Sequence, residues 1–398
     1  MLSVGPIQSI IGMNIIANME ALRMKPIKKI GIITGGGDCS GLNAVISSAT
    51  KTAITKYNVE VVGYLRGYFG LYNNNFITLD HDAVSGITHQ GGTILKSSNK
   101  DNLFNYRVEE EDGNVTYKDV SDEAIENMKK EGVDALIVVG GDGTLTSARD
   151  FYRKGIPVVG VPKTIDNDLP ATDVTFGYNT ALTNITDALD KIHTTAFSHD
   201  RIIVVEVMGR HTGWLALEGG FAGSADAILI PEIPYDIKKV AEKVRDRRKK
   251  GKEFSIIVVS EGAKPKDGEV HVRETVEDSA DTMRLGGVGE RIKSELAELL
   301  PEQEVRYTNL SYLQRGGLTS TFDRTLAQRF GVKAVDLLMQ GGGGKMVRYL
   351  ARSITHVDLE EVVGGGETGE TSKGGAKYVD ADGQIVNAAK AIGISFGD

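Results

Sequence analysis

DALIVVGGDGTLTSA, Asp134 to Ala148, runs from an unbroken apolar segment through a glycine pair into a helical pattern. Gly140 and Gly141 turn the chain, and Gly143 with Thr144 open the helix. A strand feeding a helix through so short a turn is half of a parallel βαβ unit. On its upstream side, a helix is expected from Ser121, an N-cap type, to Gly132, which accepts the left-handed conformation. Similar β-branched runs alternate with helical patterns from Lys29 onward: KIGIIT, VEVVGYL, IPVVGV, RIIVVEVM, DAILIPE and FSIIVVSE. The alternation predicts an α/β fold with parallel strands and crossover helices on both faces. Leu182, Ile185, Leu189 and Ile192 form one apolar stripe at helical spacing, on a helix expected to open just after Asp173. The basic run Asp236 to Lys252 carries an apolar seam at Val240 and Val244, so it reads as a solvated helix face. Gly364 to Gly375 reads as a mobile surface excursion before a last helix, IVNAAKAIG.

Composition narrows the function. With 46 Lys plus Arg against 54 Asp plus Glu, the net charge of -8 argues against a nucleic-acid-coating surface. Any anionic ligand must be met by a few placed cations. The single cysteine, Cys39, permits no intramolecular disulfide, and the seven histidines show no zinc spacing, so a cytoplasmic home is expected. No segment approaches the roughly 18 apolar residues of a membrane span. Residues 1–29 lack a basic residue before Arg23, unlike a signal peptide. They are expected to be an extension, such as a short helix on a partner subunit, with Met24 an alternative start. The 48 glycines, roughly twelve per hundred against a usual seven, need a reason.

Three strand ends supply one. In GIITGGGDCSGLNAV, glycines 35 to 37 let backbone N–H groups approach a phosphate, although a plain tight turn explains them as well. In the opening stretch Asp142 projects an acid at such a turn. An acid there suits a magnesium ligand beside a nucleotide, or else only an N-cap. In GVPKTIDNDLP, a carboxylate can accept a proton from a substrate hydroxyl, while Lys163 neutralises charge on a transferred group. The competing reading is an Asx-turn network with a surface ion pair. All three lie at carboxyl ends of strands, where ligands of parallel sheets collect.

TGGGDCSGLNA, GGDGT, PKTIDND, VVEVMGRHTGWLA, ILIPE and YLQRGG together resemble, in order and spacing, the phosphofructokinase family from Lys29 to the end. The resemblance implies two Rossmann-like three-layer lobes with the active site in the cleft between them. One lobe, for the donor, takes residues 30–177 with 313–363; the other, for fructose 6-phosphate, takes 178–312 with 364–398. It implies phosphoryl transfer from ATP to the sugar 1-hydroxyl, with Mg2+ as cofactor. Asp166 would be the general base, Thr164 would hold the transferring group, Asp168 would support the magnesium-phosphate arrangement, and Asp142 would lie at the metal. Arg210 would stabilise the transferring phosphoryl charge alongside Lys163. Gly36, Gly37, Tyr68, Asn99, Lys100, Gly141, Gly143 and Thr144 would line the donor. Met208, Gly209, Glu232, Tyr312 and Arg315 would meet the sugar phosphate. Arg201 and Arg306 would reach it from a neighbouring subunit, which makes a homo-oligomer, dimer or tetramer, part of the expectation.

The donor signals are mixed. Pyrophosphate-using relatives resemble GGDD, whose second acid takes the place of a nucleotide α-phosphate, together with the lysine of PKTIDND. Here Gly143 leaves that space open while Lys163 is the pyrophosphate-type residue. The repulsive group is the decisive one, so ATP is preferred. RLGGVGERI, Arg284 to Ile292, and the terminal GISFGD resemble the mixed-donor lineage. After HQGGTILKSSN, Asn99 stands where relatives carry an arginine, and Lys100 replaces it only as a point charge. Ser47, Lys51 and His193 occupy positions where effector-responsive bacterial relatives carry arginines, so strong regulation there is not expected.

QGGGGKMV, Gln340 to Val347, follows a helix and lacks the Ser or Thr of a P-loop, so it reads as a turn. Cys39 is expected to be a small packed side chain, and His199 and His211 positioning residues. Rival functions are a pyrophosphate-dependent transferase and a silent sugar-phosphate-binding subunit; no GxGxxG supports a nicotinamide enzyme.

Overall fold

A computed structural model describes residues 26–110, 113–270, 272–275, 283–363 and 375–398. Its larger sheet has eight strands, in the order Ser353–Asp358, Lys345–Leu350, Val158–Thr164, Ala135–Gly140, Lys29–Thr34, Glu60–Tyr64 and Phe76–Leu79, with Phe176–Gly177 added beside Val158–Thr164. The strands from Lys345–Leu350 through Glu60–Tyr64 are parallel, and the outermost one on each side is antiparallel. The expected parallel pattern therefore holds at the centre and gives way at the edges, through a tight turn before Ser353–Asp358 and through the short helix Tyr68–Tyr72 before Phe76–Leu79. A second sheet, Ala227–Leu229, Ser255–Ser260, Ile202–Val207 and Val305–Asn309, is parallel throughout.

Strands ALIVVG, IIVVEV and SIIVVS are buried at every residue. Such continuous burial requires cover on both faces, and each large aliphatic side chain removed from water contributes roughly 1.5–3 kcal/mol. The helix Tyr178–His199 supplies part of that cover through Ile185 and Leu189, both fully buried, with Leu182 and Ile192 partly buried beside them. It starts later than the sequence suggested. Phe176 and Gly177 pair in register with Lys163 and Thr164, so residues after Asp173 extend the sheet before the helix begins.

Gly177 makes that switch from strand to helix at φ 98°. A Cβ there would lie 2.7 Å from Cys39 Sγ and 2.9 Å from Cys39 Cβ. Gly177→Ala is expected to cost about 2–4 kcal/mol from the left-handed backbone plus overpacking. Urea denaturation measures it, and a loss under about 1 kcal/mol would contradict the packing described.

The helix Ser121–Lys130 shows a second small departure. Ser121 is its first residue rather than its cap, and the Asp119 carboxylate accepts from Ser121 N at 2.9 Å and Ser121 Oγ at 2.5 Å. Gly132 follows in the left-handed region, as expected. The basic run forms the helix Ile237–Lys249, capped by Asp236 and buried only along Val240, Ala241 and Val244. Lys345 starts a strand directly after the Gly341–Gly344 turn, so QGGGGKMV is a helix-to-strand connection. Among the described residues no helix is long and apolar enough to cross a membrane. The expectations for residues 1–25 and 364–374 fall outside the described residues, while the last helix forms as Gln384–Ala391.

Candidate active site

In the larger sheet the chain leaves Lys29–Thr34 toward Glu60–Tyr64 on one side, and Ala135–Gly140 takes the other. The connections leaving the carboxyl ends of Lys29–Thr34 and Ala135–Gly140 therefore run to opposite sides, which is where doubly wound sheets open a crevice. Glycines 35 to 37 and residues 141–144 sit at that point. Thr144 fills the space between them: a Cβ on Gly140 would come within 2.3 Å of its Cβ, and one on Gly35 within 2.7 Å of its Oγ1.

The two turns differ in which of their amides are already bonded. Gly35 N donates to Val139 O at 3.0 Å and Gly36 N to Ser98 O at 2.9 Å. Those amides are thus already satisfied. Asp142, Gly143 and Thr144 form the first turn of the helix Asp142–Arg153, where N–H groups have no intrahelical acceptor. These amides, with the favourable helix field behind them, can meet an anion. Tyr68, expected at the donor, is 4% exposed and donates its hydroxyl to Thr144 O at 2.9 Å. It supports the turn from beneath rather than facing the crevice. Asn99 and Lys100 are exposed, next to Ser97 and Ser98, which bond to the first glycine turn.

Val158–Thr164 delivers the third end. Lys163 is 5% exposed and donates from Nζ to Gly37 O at 2.5 Å, which brings its ammonium against the first turn. Burial lowers its pKa, with Arg315 adding to the effect and Asp166 opposing it. Asp166 is 8% exposed. Its amide donates to Thr164 Oγ1 at 3.0 Å, and Thr164 Oγ1 lies 3.4 Å from Asp166 Oδ2. Asp166 Oδ1 is buried and makes no hydrogen bond among the described residues. Burial pushes this carboxyl up to about 6; Asp168 adds to the rise, while Arg210, Arg315 and Lys163 oppose it. A surface ion pair is excluded by the burial of both Lys163 and Asp166. The Thr164 turn is present, but it leaves one carboxylate oxygen aimed at no protein donor.

From the second sheet come Met208, Gly209 and Arg210, just past the end of Ile202–Val207. Gly209 has φ 142° and Arg210 φ 51°, a sharp corner held by Arg210 N donating to Glu261 Oε1 at 3.1 Å. The Arg210 charge lowers the pKa of both Asp166 and Asp142, so its field spans the two strand ends. Glu261 was not marked in the sequence. It follows Ser255–Ser260, and burial, then Asp166, pushes its carboxyl up to about 7. Glu232, which was marked, has Oε1 committed to Gly213 N at 3.0 Å and Val379 N at 2.9 Å. Both acids end a strand run, and only tertiary pairing separates them: Glu261 adjoins Arg210 and Asp166, whereas Glu232 braces the turn before Trp214.

Arg315 reaches the first turn. Its Nη1 lies 3.9 Å from Asp38 Oδ1, its Nε is buried with no partner among the described residues, and its charge is felt at Asp166. Gln314 accepts from Met208 N at 3.3 Å, tying the Arg315 segment to the Arg210 corner. Tyr312 is 79% exposed and stands clear of the other side chains. Arg201 and Arg306 are not brought to this cluster. Arg201 precedes the strand Ile202–Val207 whose far end carries Arg210, about 20 Å away at 3.3 Å per residue. Both arginines pair with Glu304 instead.

Asp142 is exposed, yet enough protein surrounds it that desolvation, then Asp168, raises its pKa. Among the described residues no group of three or more His, Cys, Asp or Glu could hold a metal alone. One or two carboxylates with phosphate oxygens completing the shell is what magnesium commonly uses, so Asp142 and Asp168 fit it. Cys39 is buried, and its thiol is pushed up to about 12, which leaves it unreactive. Ser47 is buried and donates to Val84 O, and His193 is half-buried with Nε2 against Gly223 O, so each has a backbone partner.

The sequence model of one family, described as phosphofructokinase, matches residues 29–338. A Clostridium perfringens protein named ATP-dependent 6-phosphofructokinase 2 is 60% identical over 375 residues, 94% of this chain and all of that one. A Streptomyces coelicolor protein named pyrophosphate–fructose 6-phosphate 1-phosphotransferase is 45% identical over 336 residues, 84% of this chain and 94% of its own. Among solved structures, a Pichia pastoris phosphofructokinase in the T-state superposes with a TM-score of 0.70 at 33% identity. That match covers 85% of this chain and 36% of the longer yeast one.

Proposed function

The chain belongs to the phosphofructokinase family, and we propose that it transfers the γ-phosphoryl group of ATP to the 1-hydroxyl of fructose 6-phosphate, with Asp166 as the general base. One observation carries the assignment of the base. Asp166 Oδ1 is buried without a protein partner, in a carboxyl raised to about 6 and ringed by Lys163, Arg210 and Arg315. A free oxygen in that position accepts the hydroxyl proton as the oxygen attacks phosphorus. Arg210 and Lys163 then balance the charge on the phosphoryl group in flight, and Thr164 steadies it. Little covalent work is left for the protein, whose task is alignment and neutralisation.

A divalent metal, magnesium, would be held by Asp142 with Asp168 and would supply charge neutralisation at the donor phosphates. The donor side is the first turn at Asp142, Gly143 and Thr144. The sugar side is the Met208–Arg210 corner with Arg315, and Glu232, whose Oε2 is buried without a partner among the described residues, keeps the sugar-hydroxyl role, with Glu261 holding the Arg210 corner beside it. We assign residues 30–177 with 313–363 to the donor lobe and 178–312 with 364–398 to the sugar lobe. Arg201 and Arg306 lie a strand length from Arg210, so they serve a second copy's sugar phosphate, in a cytoplasmic homo-oligomer. Fork-shaped guanidinium groups suit that task.

The pyrophosphate reading keeps a specific support, because Lys163 is shared with that branch. One assay separates them: fructose 6-phosphate with each donor in turn, product followed by phosphorus NMR. Turnover with magnesium-ATP is the expected result, and turnover with pyrophosphate alone would overturn the donor assignment.

A further inference from the structure

Lys377 lies beyond residue 338, where the family match ends, yet it reaches back to the loop that carries Asp166. Its Nζ donates to three oxygens of that loop: Asn167 Oδ1 at 3.1 Å, Thr172 O at 3.2 Å and Asp173 O at 2.9 Å. Its backbone adds two more ties. Lys377 N donates to Asp168 O at 2.7 Å, and Lys377 O accepts from Trp214 Nε1 at 2.6 Å. The ammonium also sits 5.7 Å from the centre of the Trp214 ring, within cation–π range. Two residues on, Val379 N donates to Glu232, the acid that also holds Gly213 N.

The segment thus sews two strand ends together. One is the Asp166 to Asp173 loop of the larger sheet. The other is the turn from Arg210 to Trp214 of the smaller sheet, which already touches Asp166 through Thr212 Oγ1, 3.4 Å from Asp166 O. The loop needs such support. Asn167, next to Asp166, sits at φ 53°, a conformation that persists only when its surroundings over-determine it. Its side-chain oxygen is pinned from two directions, by Thr175 N at 3.2 Å and by Lys377 Nζ.

We propose that Lys377 is a positioning residue for phosphoryl transfer: it fixes the chain that follows Asp166, at Asn167, Asp168, Thr172 and Asp173, and locks that loop to the Arg210–Trp214 turn. The proposal rests on Asp166 being the base. Lys377 touches no reacting atom, so its removal should leave substrate binding largely intact and misalign the transfer itself. Displacements on the order of 1 Å cost about a hundredfold in such reactions.

The test uses the full chain with fructose 6-phosphate and magnesium-ATP, assayed at least 15 °C below each variant's melting temperature. Lys377→Met is expected to lower kcat about ten- to a hundredfold, with KM for both substrates within about threefold. Lys377→Arg, which keeps charge and donors, should recover most of the loss. Trp214→Phe, which removes the Nε1 tie while keeping a smaller aromatic ring, should move kcat the same way by a smaller factor. Wild-type kcat in Lys377→Met would overturn the proposal. So would equal losses in the Met and Arg variants, or a rise in KM that accounts for the whole effect. A wild-type chain that turns over while Asp166→Asn is equally active would overturn the reading of the base, and this proposal with it.

Discussion

Asp166→Asn lowers kcat by about 10²- to 10⁴-fold, the range a positioned base contributes, and leaves KM for fructose 6-phosphate within a few-fold. Asparagine keeps the size and the Thr164 contacts but has no lone pair basic enough to take the hydroxyl proton. The same substitution is expected to stabilise the folded chain. The Asp166 carboxyl rises from 3.8 to about 6 mainly because it is buried. Below about pH 4 the carboxyl is protonated in both folded and unfolded chains, and no penalty exists. Between about pH 4 and 6 the unfolded chain ionises first, so the folded state loses stability as pH rises. Above about 6 the penalty is complete, on the order of 3 kcal/mol at 1.4 kcal/mol per pH unit.

Removing the ionisable group removes that penalty. Thermal melts of wild type and Asp166→Asn should therefore nearly coincide at pH 4 and separate by a few degrees at pH 7, the inactive variant melting higher. Opposite signs in activity and stability mark a residue kept for chemistry. An inactive variant that melts lower at pH 7 would mean that Asp166 holds the fold together, and its proposed role would fail.

Much of this was legible in the residues because the signals were local. ALIVVG and IIVVEV could only be strands covered on both faces, and Gly140, Gly141 and Asp142 marked a strand end without any knowledge of its neighbours. What the sequence hid was pairing across distance. Glu232 and Glu261 each end a strand run, and nothing within five residues of either says that one braces Gly213 while the other meets Arg210. The Gly36 amide is bonded by Ser98 O, some sixty residues away, and nothing local in the glycine turn announces that partner. The reach of Lys377 to Asn167 spans 210 positions and leaves no periodicity to detect. The delayed start of the helix at Tyr178 has the same origin, since Phe176 and Gly177 are strand only because Lys163 and Thr164 lie beside them.

The donor choice turns on Gly143, and changing it should switch preference without harming the fold. Gly143 is the second residue of the helix Asp142–Arg153 and is exposed. An acid there gains roughly 0.3–1 kcal/mol from the helix field, and leaving glycine behind gains some helix propensity. Gly143→Asp should thus melt no lower than wild type, so a lost activity cannot be blamed on unfolding. Its carboxylate would stand beside Asp142, whose own pKa is already raised by desolvation and then by Asp168, and would face the α-phosphate of a nucleotide. Two unit charges about 5 Å apart at an effective dielectric near 20 repel by about 3 kcal/mol. At 1.4 kcal/mol per factor of ten, kcat/KM for ATP should fall by roughly a hundredfold. Pyrophosphate carries no α-phosphate and no nucleoside, so its kcat/KM should hold or rise. Steady-state assays with both donors on both chains decide the point: an ATP value within twofold of wild type would show that Gly143 is not where the donor is read.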